Sequence, residues 1–268
     1  MSAPNITETA RTPSSCSKIF ECRCGRLCEV EVLSECGLSL ISEGKGRDLV
    51  FLHGYQSSKE SFYWQIKYFS AYFRVTAFDM WGFGKSPPLT EPWDTSGYAE
   101  HVVAFLRERR IEKADVIAHS FGGRVALRIL SGYPDLFGRA VLTGCAGVPP
   151  KRGFSYRFKV RAYRAAKKIA PRWAEKKFGS PEYRTLSPVM RESYKKIVNE
   201  DVIPCLGRIR APVLYVFGEK DTATPLWMGQ VLRDHTRGSE LVVLRGGSHF
   251  CFCEQPDAFN AVAHEFLR

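Results

Sequence analysis

The sequence predicts an α/β fold, a mostly parallel sheet with helices on both faces, and three observations carry that reading. Short apolar runs alternate with helix-length amphipathic segments along most of the 268 residues. Strands buried on both faces read as continuous apolar runs, and strand–helix alternation is the pattern of crossover connections. A stretch of about sixty residues breaks the alternation and is strongly basic. Finally, the residues best suited to chemistry fall just beyond the ends of predicted strands, where ligands of open α/β sheets bind.

The elements follow in order. "CEVEVLS" and "GLSLISEG" alternate like an antiparallel hairpin, and "DLVFLHG" and "FRVTAFD" are strands flanking a helix that begins near Ser57. From Tyr98 to Ile111 apolar residues recur at helical spacing through Ala99, Val102, Val103 and Leu106. "DVIAHS", a helix from Phe121 to about Leu130 and the strand "RAVLTGCAG" come next. Residues 148–210 are then basic and helical, punctuated by Pro171, Pro181 and Pro188 into short helices. "PVLYVFG", a helix from Pro225, "ELVVLRG" and a helix from Pro256 restore the rhythm. The division expected is a mobile tail over residues 1–24, a core over 25–147 and 211–268, and an inserted lid over 148–210.

Composition narrows the function classes. The chain is 44% hydrophobic and 25% charged, with no apolar run of bilayer-spanning length. The opening "MSAPNITETARTPSSCSKIF" has no basic start followed by an apolar core, so a secretory signal is not expected, and Asn5-Ile6-Thr7 is no glycosylation signal without secretion. Nine cysteines are an odd number, which argues against a fully paired disulfide framework. Cys16, Cys22, Cys24, Cys28 and Cys36 crowd the first forty residues, but their spacing matches no zinc pattern. The expectation is reduced thiols in a cytoplasmic protein. The net charge is +11, and residues 151–200 hold fifteen Lys or Arg against four Asp or Glu, which equals the whole excess. Such a segment is a solvated helical face or a field over an acidic partner. Basic residues alternate with aromatics in "FSYRFKVRAYR", yet no nucleic-acid-binding motif accompanies them, and none is expected as partner.

The chemistry centres on "DVIAHSFGGRVAL". Ser120 ends a strand and precedes a helix, a sharp turn that lifts the hydroxyl above the sheet. Gly122 supplies the small residue this turn needs on one side, and Ala118 stands on the other. Asp221 follows "PVLYVFG" and His249 follows "ELVVLRG", so nucleophile, acid and base come in that order at one sheet edge. A serine needs a base, and the base an orienting acid. Glu219 is the competing acid. Cys251 and Cys253, alternating with Phe250 and Phe252, read as packing.

These motifs resemble the α/β-hydrolase superfamily, specifically the lid-bearing branch similar to small serine esterases and carbon–carbon bond hydrolases. The likeness runs from about Cys28 to Arg268 and rests on "LHG", "DMWGFGKS", "AHSFGG", "GEKDTATP" and "GGSHF". It implies an eight-stranded-type sheet with the lid after the sixth strand, and an oxyanion hole from the backbone N–H groups of Tyr55 and Phe121. It also implies that His53 ties its loop together, and that Asp79 and Ser86 shape a turn near the site. Trp81 and Arg124 are the candidate substrate contacts. Arg124 shares a helix face with Arg128 and would read as a surface pair, but a lyase of the superfamily with an acidic substrate carries a similar arginine. The expected activity is hydrolysis of a small ester, thioester or related acyl compound, an anionic one being favoured by the basic lid, with no metal or organic cofactor required. Alternatives are carbon–carbon cleavage or lyase chemistry on a carboxylate-bearing substrate, and a slow or non-catalytic ligand-binding member of the fold. Oligomeric state is not legible.

Overall fold

Seven strands form the central sheet of the computed structural model, which describes residues 17–21, 27–31, 37–149, 161 and 181–268. In chain order they are β3 (Leu40–Glu43), β4 (Asp48–Leu52), β5 (Arg74–Phe78), β6 (Ala114–His119), β7 (Phe137–Thr143), β8 (Val213–Gly218) and β9 (Glu240–Leu244). The spatial order is β3-β5-β4-β6-β7-β8-β9. β3 is antiparallel to β5, and every other neighbouring pair is parallel. The remaining strands, β1 (Ser17–Glu21) and β2 (Leu27–Glu31), form a separate antiparallel pair.

That pairing corrects two expectations. β2 matches the first strand of the expected hairpin, but it pairs with β1, inside the segment assigned to the tail, and the sheet counts seven strands instead of eight among the described residues. Alternation says that a strand has two unlike faces, but it does not choose the neighbour along its edge. The insert follows β7, the fifth strand of the central sheet in chain order.

Burial explains why these segments are strands. Every residue of β4, β6 and β8 is buried. Successive side chains point to opposite faces, so Val50 and Leu52 join one core while Leu49 and Phe51 join the other. The first core lies under α2 (Thr95–Glu108) and α3 (Phe121–Gly132), through Val102, Leu106, Val125 and Ile129. The second lies under α1 (Tyr63–Phe69) and the terminal helix Pro256–Leu267, through Phe62, Phe69 and Phe259. α2 begins at Asp94, whose side chain accepts from the Gly97 N–H and satisfies one of the unpaired donors of the first turn.

Part of the expected lid, residues 150–160 and 162–180, lies outside the described residues. The rest of the segment is helical at Pro181–Thr185, Pro188–Val198 and Ile203–Leu206. Helix Pro188–Val198 starts on Ser187, whose Oγ accepts from the Met190 N–H, with proline at its first position. Among the described residues no helix is long and apolar enough to cross a membrane.

Candidate active site

Parallel strands bring their carboxyl ends to one edge, and the site is built there. β6 runs straight into Ser120, whose backbone turns to φ 51°, ψ −109° before α3 begins. A non-glycine residue with positive φ is a strained, over-determined position. Part of what determines it is the tightness of the turn. A Cβ on Gly122 would run into the carbonyl oxygens of Leu52 and His53, so only glycine lets α3 approach the end of β4 this closely. The Ser120 carbonyl accepts from the N–H groups of Arg124 and Ala146, which pins the turn from both sides.

His249, in the loop after β9, places Nε2 3.0 Å from Ser120 Oγ. Its Nδ1 lies 2.7 Å from Asp221 Oδ2, in the loop after β8. Nδ1–H donates to the carboxylate, which leaves Nε2 bare to accept the serine proton. Asp221 is itself held: Oδ1 accepts from the N–H groups of Ala223 at 2.9 Å and Thr224 at 2.8 Å. Burial works to raise the Asp221 carboxyl's pKa, but hydrogen bonds from His249 and Thr224 outweigh it and hold the group below the usual carboxylate range. Glu219, the competing acid, accepts from the Gly246 N–H instead and braces the two loops from outside.

Above Ser120, the N–H groups of Tyr55 and Phe121 have no acceptor among the described residues. That of Phe121 opens α3 and carries the positive end of its dipole. The Tyr55 loop is tied down at several points. His53 accepts the Met80 N–H on Nε2 at 2.9 Å, so its protonated Nδ1 donates to the Gly54 carbonyl at 2.7 Å. Asp79 accepts from the Lys59 N–H, the Lys59 ammonium and the Lys85 N–H. Ser86 Oγ donates to the Asp79 carbonyl. The Tyr55 hydroxyl donates to the Met190 carbonyl at 3.0 Å, joining this loop to helix Pro188–Val198.

With the geometry in hand, comparison with known proteins is informative. Residues 49–262 match the model of the alpha/beta hydrolase family. The chain belongs to this family. The hydrolase is 28% identical over 244 residues to a pimeloyl-[acyl-carrier protein] methyl ester esterase of Neisseria meningitidis, covering 82% of this chain and 93% of that protein. It is 29% identical over 239 residues to 3-oxoadipate enol-lactonase 2 of Acinetobacter baylyi, covering 82% and 88%. Among solved structures, the esterase EaEST from Exiguobacterium antarcticum superposes with a TM-score of 0.70 at 22% identity, covering 88% and 97%. Membership and these relatives support a hydrolase of this fold.

The two expected substrate contacts of the hydrolase, Arg124 and Trp81, have the following surroundings. Arg124 is buried rather than exposed, and it donates to the carbonyls of Ile197 and Glu200, at and just beyond the end of helix Pro188–Val198. A helix C-terminus is the negative end of its dipole and attracts a cation, which suits Nη1 of the guanidinium, while the buried Nε has no hydrogen-bond partner among the described residues. Its neighbour Arg128 donates to Glu200 Oε1. Helical spacing placed the two arginines on one face correctly, but it could not say that another helix covers that face. Trp81 has its ring against Trp93, His101 and Phe105.

Sequence reasoning missed Thr224 and Lys59. Thr224 Oγ1 lies 2.8 Å from Asp221 Oδ2, 3.0 Å from the Gly144 carbonyl and 3.2 Å from His249 Nδ1. Lys59 is 4% exposed and pairs with Asp79 and Glu60. A buried lysine requires such partners, but nothing in the local sequence marks it. Cys251 is buried against Thr143, and Cys253 donates to the Ser61 carbonyl, so both pack as expected. The described residues hold no cluster of His, Cys, Asp or Glu suited to a metal ion. The side chains of the five N-terminal cysteines lie outside them.

Proposed function

We propose that this α/β-hydrolase is a serine hydrolase that cleaves a small ester, thioester or related acyl compound through an acyl-enzyme. The observation that carries the reading is the continuous hydrogen-bonded line from Ser120 Oγ through His249 to Asp221. His249 Nε2 takes the hydroxyl proton as Oγ attacks the acyl carbon, and Asp221 stabilises the imidazolium that forms. The negative charge that develops on the substrate oxygen is met by the N–H groups of Phe121 and Tyr55. His249 then gives its proton to the leaving alcohol or thiol. In the second half-reaction it takes a proton from water, hydroxide attacks the acyl carbon, and Ser120 leaves with the proton returned.

The names of the esterase and enol-lactonase relatives support an acyl–oxygen bond as the target. Carbon–carbon cleavage of a carboxylate-bearing substrate drew on the basic lid and Arg124 as the carboxylate's partners, and the Arg124 Nη1 bonds to the Ile197 and Glu200 carbonyls weaken the second of these. Residues 148–210 act as the lid in this reading, with the catalytic machinery confined to the core. Turnover on a panel of short acyl esters, with Ser120→Ala as control, tests the proposal. Removal of a triad nucleophile costs several powers of ten in kcat, about 10⁶ in a comparable system. Full activity in Ser120→Ala would rule the mechanism out. Stoichiometric binding of acyl compounds without turnover would instead make the chain a ligand-binding member of the fold.

A further inference from the structure

His119 directly precedes Ser120, is 2% exposed, and has no part in the proton relay. Its Nε2 lies 3.1 Å from the carbonyl oxygen of His249. A carbonyl only accepts, so Nε2 carries the ring proton and Nδ1 is bare. Burial, reinforced by the neighbouring His249, lowers its pKa to about 3, so the ring is neutral at neutral pH. Nδ1 has no hydrogen-bond partner among the described residues. It faces Gly54 instead: a Cβ added there would lie 2.8 Å from Nδ1 and 3.6 Å from the Ser120 Cβ. The ring also packs against His249, with centroids 4.7 Å apart, and against Phe252 at 4.8 Å.

One neutral imidazole therefore meets three segments. It is bonded through the backbone to Ser120, holds the carbonyl of His249, and rests on the glycine before Tyr55. We propose that His119 is a positioning residue, whose Nε2–H donor sets the His249 loop, and whose ring sets the Gly54–Tyr55 loop, against Ser120. It touches no reacting atom and transfers no proton. The inference rests on the serine-hydrolase reading above and adds to it a specific device for aligning base, nucleophile and oxyanion donor. Alignment matters because a misplacement of about 1 Å costs on the order of 10²-fold in rate.

The test compares His119→Gln, whose side-chain amide can still donate to the His249 carbonyl, with His119→Met, of similar length and without a donor. Two rates are read for each, the second-order rate of labelling by a fluorophosphonate and kcat for p-nitrophenyl butyrate, together with KM and the thermal midpoint. His119→Met should lose on the order of 10²-fold in both rates with KM little changed, and His119→Gln should recover most of that loss. A merely space-filling role predicts the reverse ranking, since Met suits an apolar site better. Equal rates in both variants, or Met at or above Gln, overturn the proposal. Should the Met variant not fold, His119→Leu takes its place under the same criteria. Ser120→Ala separates the two levels: surviving turnover there overturns the serine-hydrolase reading. Loss in Ser120→Ala with wild-type rates in the donorless variant overturns the role of His119 alone.

Discussion

At the scale of single residues, a serine hydroxyl becomes a nucleophile only where a base and an orienting acid stand within hydrogen-bond reach, and here the partners of each carboxylate decide which acid that is. Asp221 Oδ2 meets His249 Nδ1 at 2.7 Å, whereas Glu219 is engaged by the Gly246 N–H. Asp221→Asn should therefore lower kcat by about 10⁴-fold, the cost of a wrongly held imidazole in an unrelated triad, with Glu219→Gln close to wild type in the same assay. Buried histidine adds a pH dependence of stability. The pKa of His119 is about 3 when folded, against about 6.5 in an unfolded chain. Its neutral burial therefore contributes stability that is fully present above about pH 6.5 and is lost as pH falls toward the folded value. Urea unfolding at neutral and acid pH should show a shallower acid loss in His119→Gln than in the wild type, and parallel curves would refute that assignment. Ser120, Asp221 and His249 were legible because each follows an apolar run that can only be a strand. Thr224 and Lys59 were not: beside the near partners Asp221 and Glu60, each depends on a distant one, Gly144 80 residues away and Asp79 20 residues away.

At the scale of elements, the strands that carry the site are fixed by burial, and helix Pro188–Val198 by the burial of Met190 and Ile197 together with a small set of polar ties. Phe217 on β8 is fully buried, and Phe217→Ala should cost about 3–5 kcal/mol in chemical unfolding. Helix Pro188–Val198 is held by Arg124 at its far end and by the Tyr55 hydroxyl at Met190. The Trp93 N–H and the Lys196 ammonium add ties to Ser193 Oγ and the Pro92 carbonyl. Arg124→Met leaves buried carbonyls without their charged donor, at a cost of about 1.5–3 kcal/mol for such a hydrogen bond. KM for a carboxylate-bearing ester and for a neutral one should then change alike, whereas a rise confined to the carboxylate would return Arg124 to the substrate. Continuous apolar runs made β4, β6 and β8 readable in advance, since nothing but a doubly covered strand suits them. β2 was readable as a strand but not in its partner, because the pattern of its faces is the same whichever edge it pairs with.

At the scale of the whole molecule, the charge is lopsided. The +11 excess lies in residues 151–200, much of it outside the described residues, and exposed charge acts over a Debye length of about 8–10 Å near physiological salt. If that field guides substrate, kcat/KM for an anionic acyl ester falls as salt is added while a neutral ester of equal size is unaffected. A flat response for both would assign the charge to solubility or a partner surface. The fold and the triad loops do not depend on that outcome, because they follow from burial and from the shared edge of parallel strands. The most direct test of the central claim is where a fluorophosphonate attaches to the native chain. Intact mass and peptide mapping should show a single adduct on Ser120, absent in Ser120→Ala and formed far more slowly in His249→Ala. An unlabelled Ser120, or a Ser120→Ala chain that labels as fast as the wild type, would contradict the account.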